Sequence, residues 1–218
     1  MRPVIITTTT LSDDDNGIAE SQTPVGAGSL TLDGALVVDG VAIMAEAQTI
    51  TVDWTGADAA RTLTVTYKDA DDNEQTGTIA GANATTSQST FFAKEVSDMS
   101  IDAASAGAIF AGVLAADGMV TRSVPVNWRQ SPFNMSLSAE ELADGGTVTV
   151  QYTVDAPQDA YTNGFSTDAN WRDTVGLTLI TVTDDSNIAF PVRAVRGQLT
   201  IGDADSTWKF TFVQGQNS

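Results

Sequence analysis

The chain contains neither cysteine nor histidine, and the two absences remove most of the ordinary tools of catalysis. Without thiol there is no disulfide, no cysteine nucleophile and no iron–sulfur ligand. Without imidazole there is no side chain that shuttles protons near neutral pH at its unperturbed pKa, and no preferred zinc ligand. Cations are scarce as well: 10 Lys and Arg stand against 28 Asp and Glu, for a formal net charge of −18. So few cations release few counterions from phosphates, and nucleic acid is not an expected partner. No window approaches the roughly 18 apolar residues of a transmembrane helix, so no membrane partner is expected either. The apolar patch in Met1-Arg2-Pro3-Val4-Ile5-Ile6 is too short for a signal-peptide core, and the expectation is a protein made in a cytoplasm.

What is present is enough to fold. Hydrophobic residues make up 42% and charged residues 17% of 218, unlike a disordered tail. That length suits one large sandwich or two domains of about 100 residues each, and two is the preferred reading. The dominant pattern is alternation. Residues 147–154 read TVTVQYTV, with Val148, Val150, Tyr152 and Val154 on one face. Thr49 to Trp54, Thr62 to Tyr67, Gln75 to Ile79 and Thr207 to Val213 repeat it, the last placing Trp208, Phe210 and Phe212 together. Shorter strands are expected at Ser29 to Leu32, Ala35 to Val38, Ser89 to Ala93, Val96 to Ile101, Ala108 to Val113, Val124 to Trp128, Asn134 to Leu137, Leu177 to Val182, Ala189 to Val195 and Gln198 to Ile201. Asp33-Gly34 and Asp39-Gly40 supply the positive φ of tight hairpin turns.

The predicted fold class is all-β: two antiparallel β-sandwich domains, jelly-roll or immunoglobulin-like, with an N-terminal arm. Residues 1–24 form the arm, 25–116 the first sandwich and 117–218 the second, divided at the small, turn-prone Ala115-Ala116-Asp117-Gly118. The arm, through Ile5 and Ile6, either pairs with a neighbour's sheet edge or serves as a first strand of its own domain. Helix is expected only at Ser138-Ala139-Glu140-Glu141, a capping box that Asp144-Gly145-Gly146 limits to a turn or two.

Chemistry-bearing clusters are few. Asp69-Ala70-Asp71-Asp72-Asn73 begins like a calcium-binding EF-hand loop, but Glu74 replaces the required Gly and Ala80 the bidentate acid. Looser calcium sites at that hairpin, at Asp13 to Asp15, or at Asp184-Asp185 with Asn187 compete with the plain reading of solvated turns. No pair of carboxylates is singled out for glycoside hydrolysis, and there is no nucleophile elbow or phosphate-cradling glycine loop. The expectation is a non-enzyme with no cofactor and no metal. The long segment Asp155 to Asp173 is a candidate recognition loop, its Tyr161, Phe165 and Trp171 either stacking on a partner or packing on the sheet. Arg193 and Arg196, three apart, are the candidate cations for an acid within the chain or across a subunit contact.

Several phrases resemble tailed-bacteriophage virion structural proteins. In the C-terminal half they are Trp128-Arg129-Gln130-Ser131-Pro132-Phe133-Asn134, the strand ending in Asp155, Ala189-Phe190-Pro191-Val192-Arg193-Ala194-Val195-Arg196, and Val213-Gln214-Gly215. In the N-terminal half they are Ser21-Gln22-Thr23-Pro24, Gly28 to Gly34 and Gly81-Ala82-Asn83-Ala84. The resemblance implies a place on the virion and no active site. Two roles follow as expectations. One is a capsid cement or decoration protein on the outside of the head, partnered by the major capsid protein and by copies of itself, with a homotrimer suggested by analogy. The other is a tail, baseplate or fibre module that recognises a host surface glycan or protein. A carbohydrate-binding or adhesin domain unrelated to phage is a third.

Overall fold

A computed structural model of the chain describes residues 3–10, 13–114, 118–129, 131–143, 145–155, 169–201 and 206–215. Among these residues every helix or strand is a strand, and every strand pairing given below is antiparallel. In chain order the strands are β1 (Val4–Thr9), β2 (Asp14–Gln22), β3 (Gly28–Ser29), β4 (Val37–Val38), β5 (Val41–Trp54), β6 (Thr62–Lys68), β7 (Glu74–Ala80), β8 (Thr86–Ile101) and β9 (Ile109–Val113). They continue as β10 (Met119–Val120), β11 (Val124–Pro125), β12 (Met135–Ala143), β13 (Thr147–Thr153), β14 (Arg172–Asp173), β15 (Asp184–Ile188), β16 (Ala194–Ile201) and β17 (Thr207–Gln214). The chain divides into two compact units: a central unit of Leu11–Asp117, and a terminal unit made from Met1–Thr10 together with Gly118–Ser218.

The central unit is organised by two long strands. β8 pairs with β5 along its first part and with β6 along its second, while β5 also pairs with β9, and β9 with β2. β6 and β7 make a hairpin in unbroken register from Thr62↔Ala80 to Lys68↔Glu74. The alternation of β6 buries Leu63, Val65 and Tyr67 against Trp54, Ile50, Val52, Met99 and Ile109. Each large aliphatic side chain buried this way contributes about 1.5–3 kcal/mol. Register shifts between Ile43 and Gln48 and between Thr49 and Thr51 bend β5, as bulges do. The Ile50 N–H at the second shift donates to Ser89 Oγ at 3.0 Å, and that hydroxyl donates to the Phe91 carbonyl at 2.7 Å. A side chain thus replaces the missing ladder partner.

The turn from β6 to β7 is built on Asp69, whose buried Oδ1 accepts the N–H groups of Asp71 (2.8 Å) and Asn73 (3.1 Å) and the Asn73 side-chain amide (3.1 Å). This carboxylate faces donors, as in an Asx-turn. Behind it Tyr67 stacks on Phe91 with ring centroids 4.2 Å apart, and burial, with Asp69 adding its charge, pushes the phenol up to about 12.

The terminal unit contains the four-stranded sheet β1-β17-β12-β15. Its second layer centres on β16, flanked by β13 and then β14 on one side and by β10 and β11 on the other. The two layers face each other across one core: Trp208, Phe210 and Phe212 of β17 and Met135, Leu137 and Ala139 of β12 meet Val148 and Val150 of β13 and Val195 and Leu199 of β16. Phe210 lies directly over Gly197, where a Cβ would sit 2.5 Å from its ring.

Several expectations are corrected. Residues 1–24 are not one arm: β1 is a strand of the terminal unit, while β2 pairs with β9 in the central unit, which begins at Leu11. Burial of Ile6 and Thr8 opposite Phe210 and Trp208 is what fixes β1 there. The capping box at Ser138 to Glu141 lies in strand β12, because Met135, Leu137 and Ala139 have period-two burial that a helix would scatter. Leu177 to Val182 is not a strand. Leu177 is buried whereas Leu179 has a positive φ of 52° and is exposed, and β15 takes the edge position instead. The stretch expected from Ala189 to Val195 becomes a strand only at Ala194, and Ser89 to Ala93 with Val96 to Ile101 form the single strand β8.

Candidate interaction surface

The polar side of the second layer carries an ordered row. Arg196 of β16 stands opposite Gln151 of β13, which stands opposite Asp173 of β14. Arg196 Nε donates to Gln151 Oε1 at 2.9 Å, and Gln151 Nε2 donates to Asp173 Oδ1 at 3.0 Å. The Arg196 guanidinium lies 4.2 Å from the centroid of the Trp171 ring. Trp171 is half-buried, and its indole Nε1 is buried without an acceptor among the described residues.

Three residues upstream, about 10 Å along an extended chain, the Arg193 guanidinium lies 3.6 Å from the Trp128 centroid, and that of Arg129 lies 5.0 Å from the same ring. Backbone bonds hold this stack. The Arg193 N–H donates to the Thr153 carbonyl at 2.7 Å, and the Arg193 carbonyl accepts the Val126 N–H at 2.9 Å. Trp128 is fixed from the other side: buried Gln214 of β17 accepts the Asn127 N–H at 2.9 Å and donates Nε2 to the Asn127 carbonyl at 2.6 Å. Tyr152 meets the exposed ring of Phe190 edge-on at 5.3 Å. The cations are unevenly shared: only Arg61, Lys68 and Lys94 fall in the central unit, and the terminal unit holds all the others. Most of the net negative charge therefore belongs to the central unit.

Of the residues expected to bind, Trp171, Arg193 and Arg196 each enter a cation–ring contact, Arg193 on Trp128 and Arg196 on Trp171. Tyr161 and Phe165 lie outside the described residues. Ile6 is buried at 7% exposure, while Ile5 is 53% exposed. Trp128, Gln151 and Asp173 were not singled out from sequence. Their only signals are the cation next to Trp128 and the polar side of the TVTVQYT strand. Asp184 and Asp185 lie on β15 opposite Ala139 and Ser138, and among the described residues no three acidic groups converge as a metal site would require.

The fold defines an all-β protein whose two units each have their own apolar core. No protein-family model matches the chain, and no curated protein matches it. Among solved structures, allantoicase from Saccharomyces cerevisiae is similar at 8% identity over 94% of this chain and 89% of that one, with a TM-score of 0.22. A structure of infectious bursal disease virus, Gx strain, is similar at 9% identity over 99% of this chain and 71% of that one, with a TM-score of 0.21. Likeness at this level carries no argument about function.

Proposed function

We propose that the chain is a non-enzymatic structural protein of a tailed-bacteriophage virion, a capsid cement or decoration protein that binds the outside of the head through the Arg–Trp stacks of its terminal unit. The observation that carries this reading is the pair of preformed stacks, Arg193 on Trp128 and Arg196 on Trp171. Arg and Trp are the residues that most often dominate protein interfaces, and side chains already held in place lose little entropy on binding. Modest contacts of this kind, repeated over a symmetric shell, add to strong attachment. The acidic remainder favours solubility and repels nucleic acid, which suits the outside of a head better than its lumen.

The test is co-sedimentation of the purified chain with heads that lack it. Arg193→Ala with Trp128→Ala should abolish binding while thermal unfolding shows the protein still folded, and unchanged binding removes the proposal. The tail or fibre reading draws on the half-exposed Trp171 at the end of the Asp155 to Asp173 segment. It requires that Trp171→Ala abolish adsorption of the intact protein to host cells.

A further inference from the structure

The two edges of the four-stranded sheet in the terminal unit are unlike. β15 reads DDSNI, and charges such as Asp184 and Asp185 discourage another strand from adding. β1, at the opposite edge, reads VIITTT: no charge, no proline, no glycine, and an unbroken register on β17 from Val4↔Phe212 to Thr9↔Thr207. Within Val4–Thr9 it carries no charge or proline to protect the edge, and the nearest proline, Pro3, stands just before it.

The phase of β1 is set at its end, where the Thr10 N–H donates to the Ser206 carbonyl at 3.0 Å. In an antiparallel ladder hydrogen-bonded pairs alternate. Val4, Ile6 and Thr8 therefore bond to β17, and the N–H and C=O groups of Ile5, Thr7 and Thr9 point away from it. The side chains of those same three residues are exposed, whereas Ile6 and Thr8 are buried.

We infer that β1 pairs antiparallel with β1 of a second copy of this chain, on a two-fold axis through Thr7, joining the two sheets into one. The geometry is self-complementary. Thr7 meets Thr7 of the second copy and Ile5 meets Thr9, and three pairs each exchanging both bonds give about six hydrogen bonds. Every side-chain pair is β-branched, which favours cross-strand packing. No like charges meet, because the first acidic residue of the chain is Asp13. What selects a second copy is this self-complementary register, and the neutrality lets it form although two molecules of net charge −18 repel over most of their surface. The axis is two-fold, in place of the trimer expected by analogy. This inference does not rest on the virion reading, and capsid binding and self-association are measured separately.

The experiment is sedimentation equilibrium of the full chain over a concentration series, with oxidative cross-linking of single-cysteine variants. The expected result is a monomer–dimer equilibrium that Thr7→Lys weakens about tenfold or more by placing like charges opposite each other. Oxidation of Thr7→Cys should give a covalent dimer, since the chain has no other cysteine, and Asn187→Cys on β15 should not. If Thr7→Lys loses its far-ultraviolet circular dichroism, Ile5→Lys with Thr9→Lys serves the same purpose, since positions 5 and 9 meet across the axis and both are exposed. A chain that stays monomeric throughout, a trimer, a dimer unaffected by both charged variants, or equal cross-linking at Thr7 and Asn187 overturns the inference.

Discussion

Gly197 of β16 lies directly against the Phe210 ring of β17, and replacing it tests the packing of the terminal unit. A Cβ at Gly197 would lie 2.5, 2.6 and 2.6 Å from three atoms of the Phe210 ring, about 1 Å inside ordinary contact distance. Phe210 is fully buried and lies beside Phe212, with centroids 6.5 Å apart. Its ring has little room to retreat. Overpacking of this kind costs about 1–3 kcal/mol, and Gly197→Ala should fall at the upper end of that range. The assay is urea unfolding followed by tryptophan emission. Trp128, Trp171 and Trp208 lie in the terminal unit and only Trp54 in the central one, so a Trp54→Phe background confines the signal to the unit under test. The midpoint should fall with the slope unchanged. Phe210→Leu should partly rescue the variant, the pair costing at least about 1 kcal/mol less than the sum of the single changes. A loss below about 0.5 kcal/mol for Gly197→Ala, or strict additivity with Phe210→Leu, would refute the reasoning.

Three further outcomes follow from the structure. Ser89→Ala leaves the buried Ile50 N–H without its acceptor and should cost about 1–3 kcal/mol, read as a lowered midpoint of the central unit. The raised phenol of Tyr67 means that the folded state keeps a proton which the unfolded chain releases. Stability from this group is therefore complete below pH 10.0 and is lost as pH rises toward about 12, at most ~3 kcal/mol. Lys68, raised by its hydrogen bond to Glu95, acts in the same direction, and an alkaline absorbance titration with one late tyrosine step checks the first of these. Arg193→Ala should cost only about 0.5–1 kcal/mol of stability while strongly weakening capsid binding. Equal small losses in both would mark the stack as a structural contact alone.

Strands with an unbroken apolar–polar alternation were legible from the residues. The β6–β7 hairpin and β17 show plain period-two alternation, and their burial follows it, whereas in β13 Thr149 and Thr153, on the polar side of the alternation, are buried as well. Where the backbone departs from that period, the pattern misleads. The register shifts in β5 place Gln48, Thr49 and Thr51 among buried residues, so one long strand reads as a short one preceded by a loop. At Ser138 to Glu141 a helix signal spanning four residues yields to the burial of Met135, Leu137 and Ala139, a tertiary demand that local propensity does not contain. β1 reads as a strand, but nothing local says that its partner is β17, across the whole central unit. The candidate surface shows the same division. Arg193 and Arg196 stand out as rare cations in an acidic chain, whereas their seats on Trp128 and Trp171 depend on where distant segments of the chain return.

The structural and functional readings meet on the terminal unit. It holds most of the cations, both Arg–Trp stacks and the uncharged edge, and the central unit holds most of the acid. On the two proposals made above, one contact feature would serve a shell and the other a second copy. The stacks and the edge are separable by mutation, so loss of capsid binding in Arg193→Ala with Trp128→Ala need not disturb the dimer.

The most direct measurement of the proposed role is electron microscopy of the tailed-phage virions to which that proposal assigns the chain, labelled with gold-tagged antibody raised against it. The account predicts label spread over the outer surface of the head. Label confined to the tail or its tip, or particles carrying no label, would contradict it.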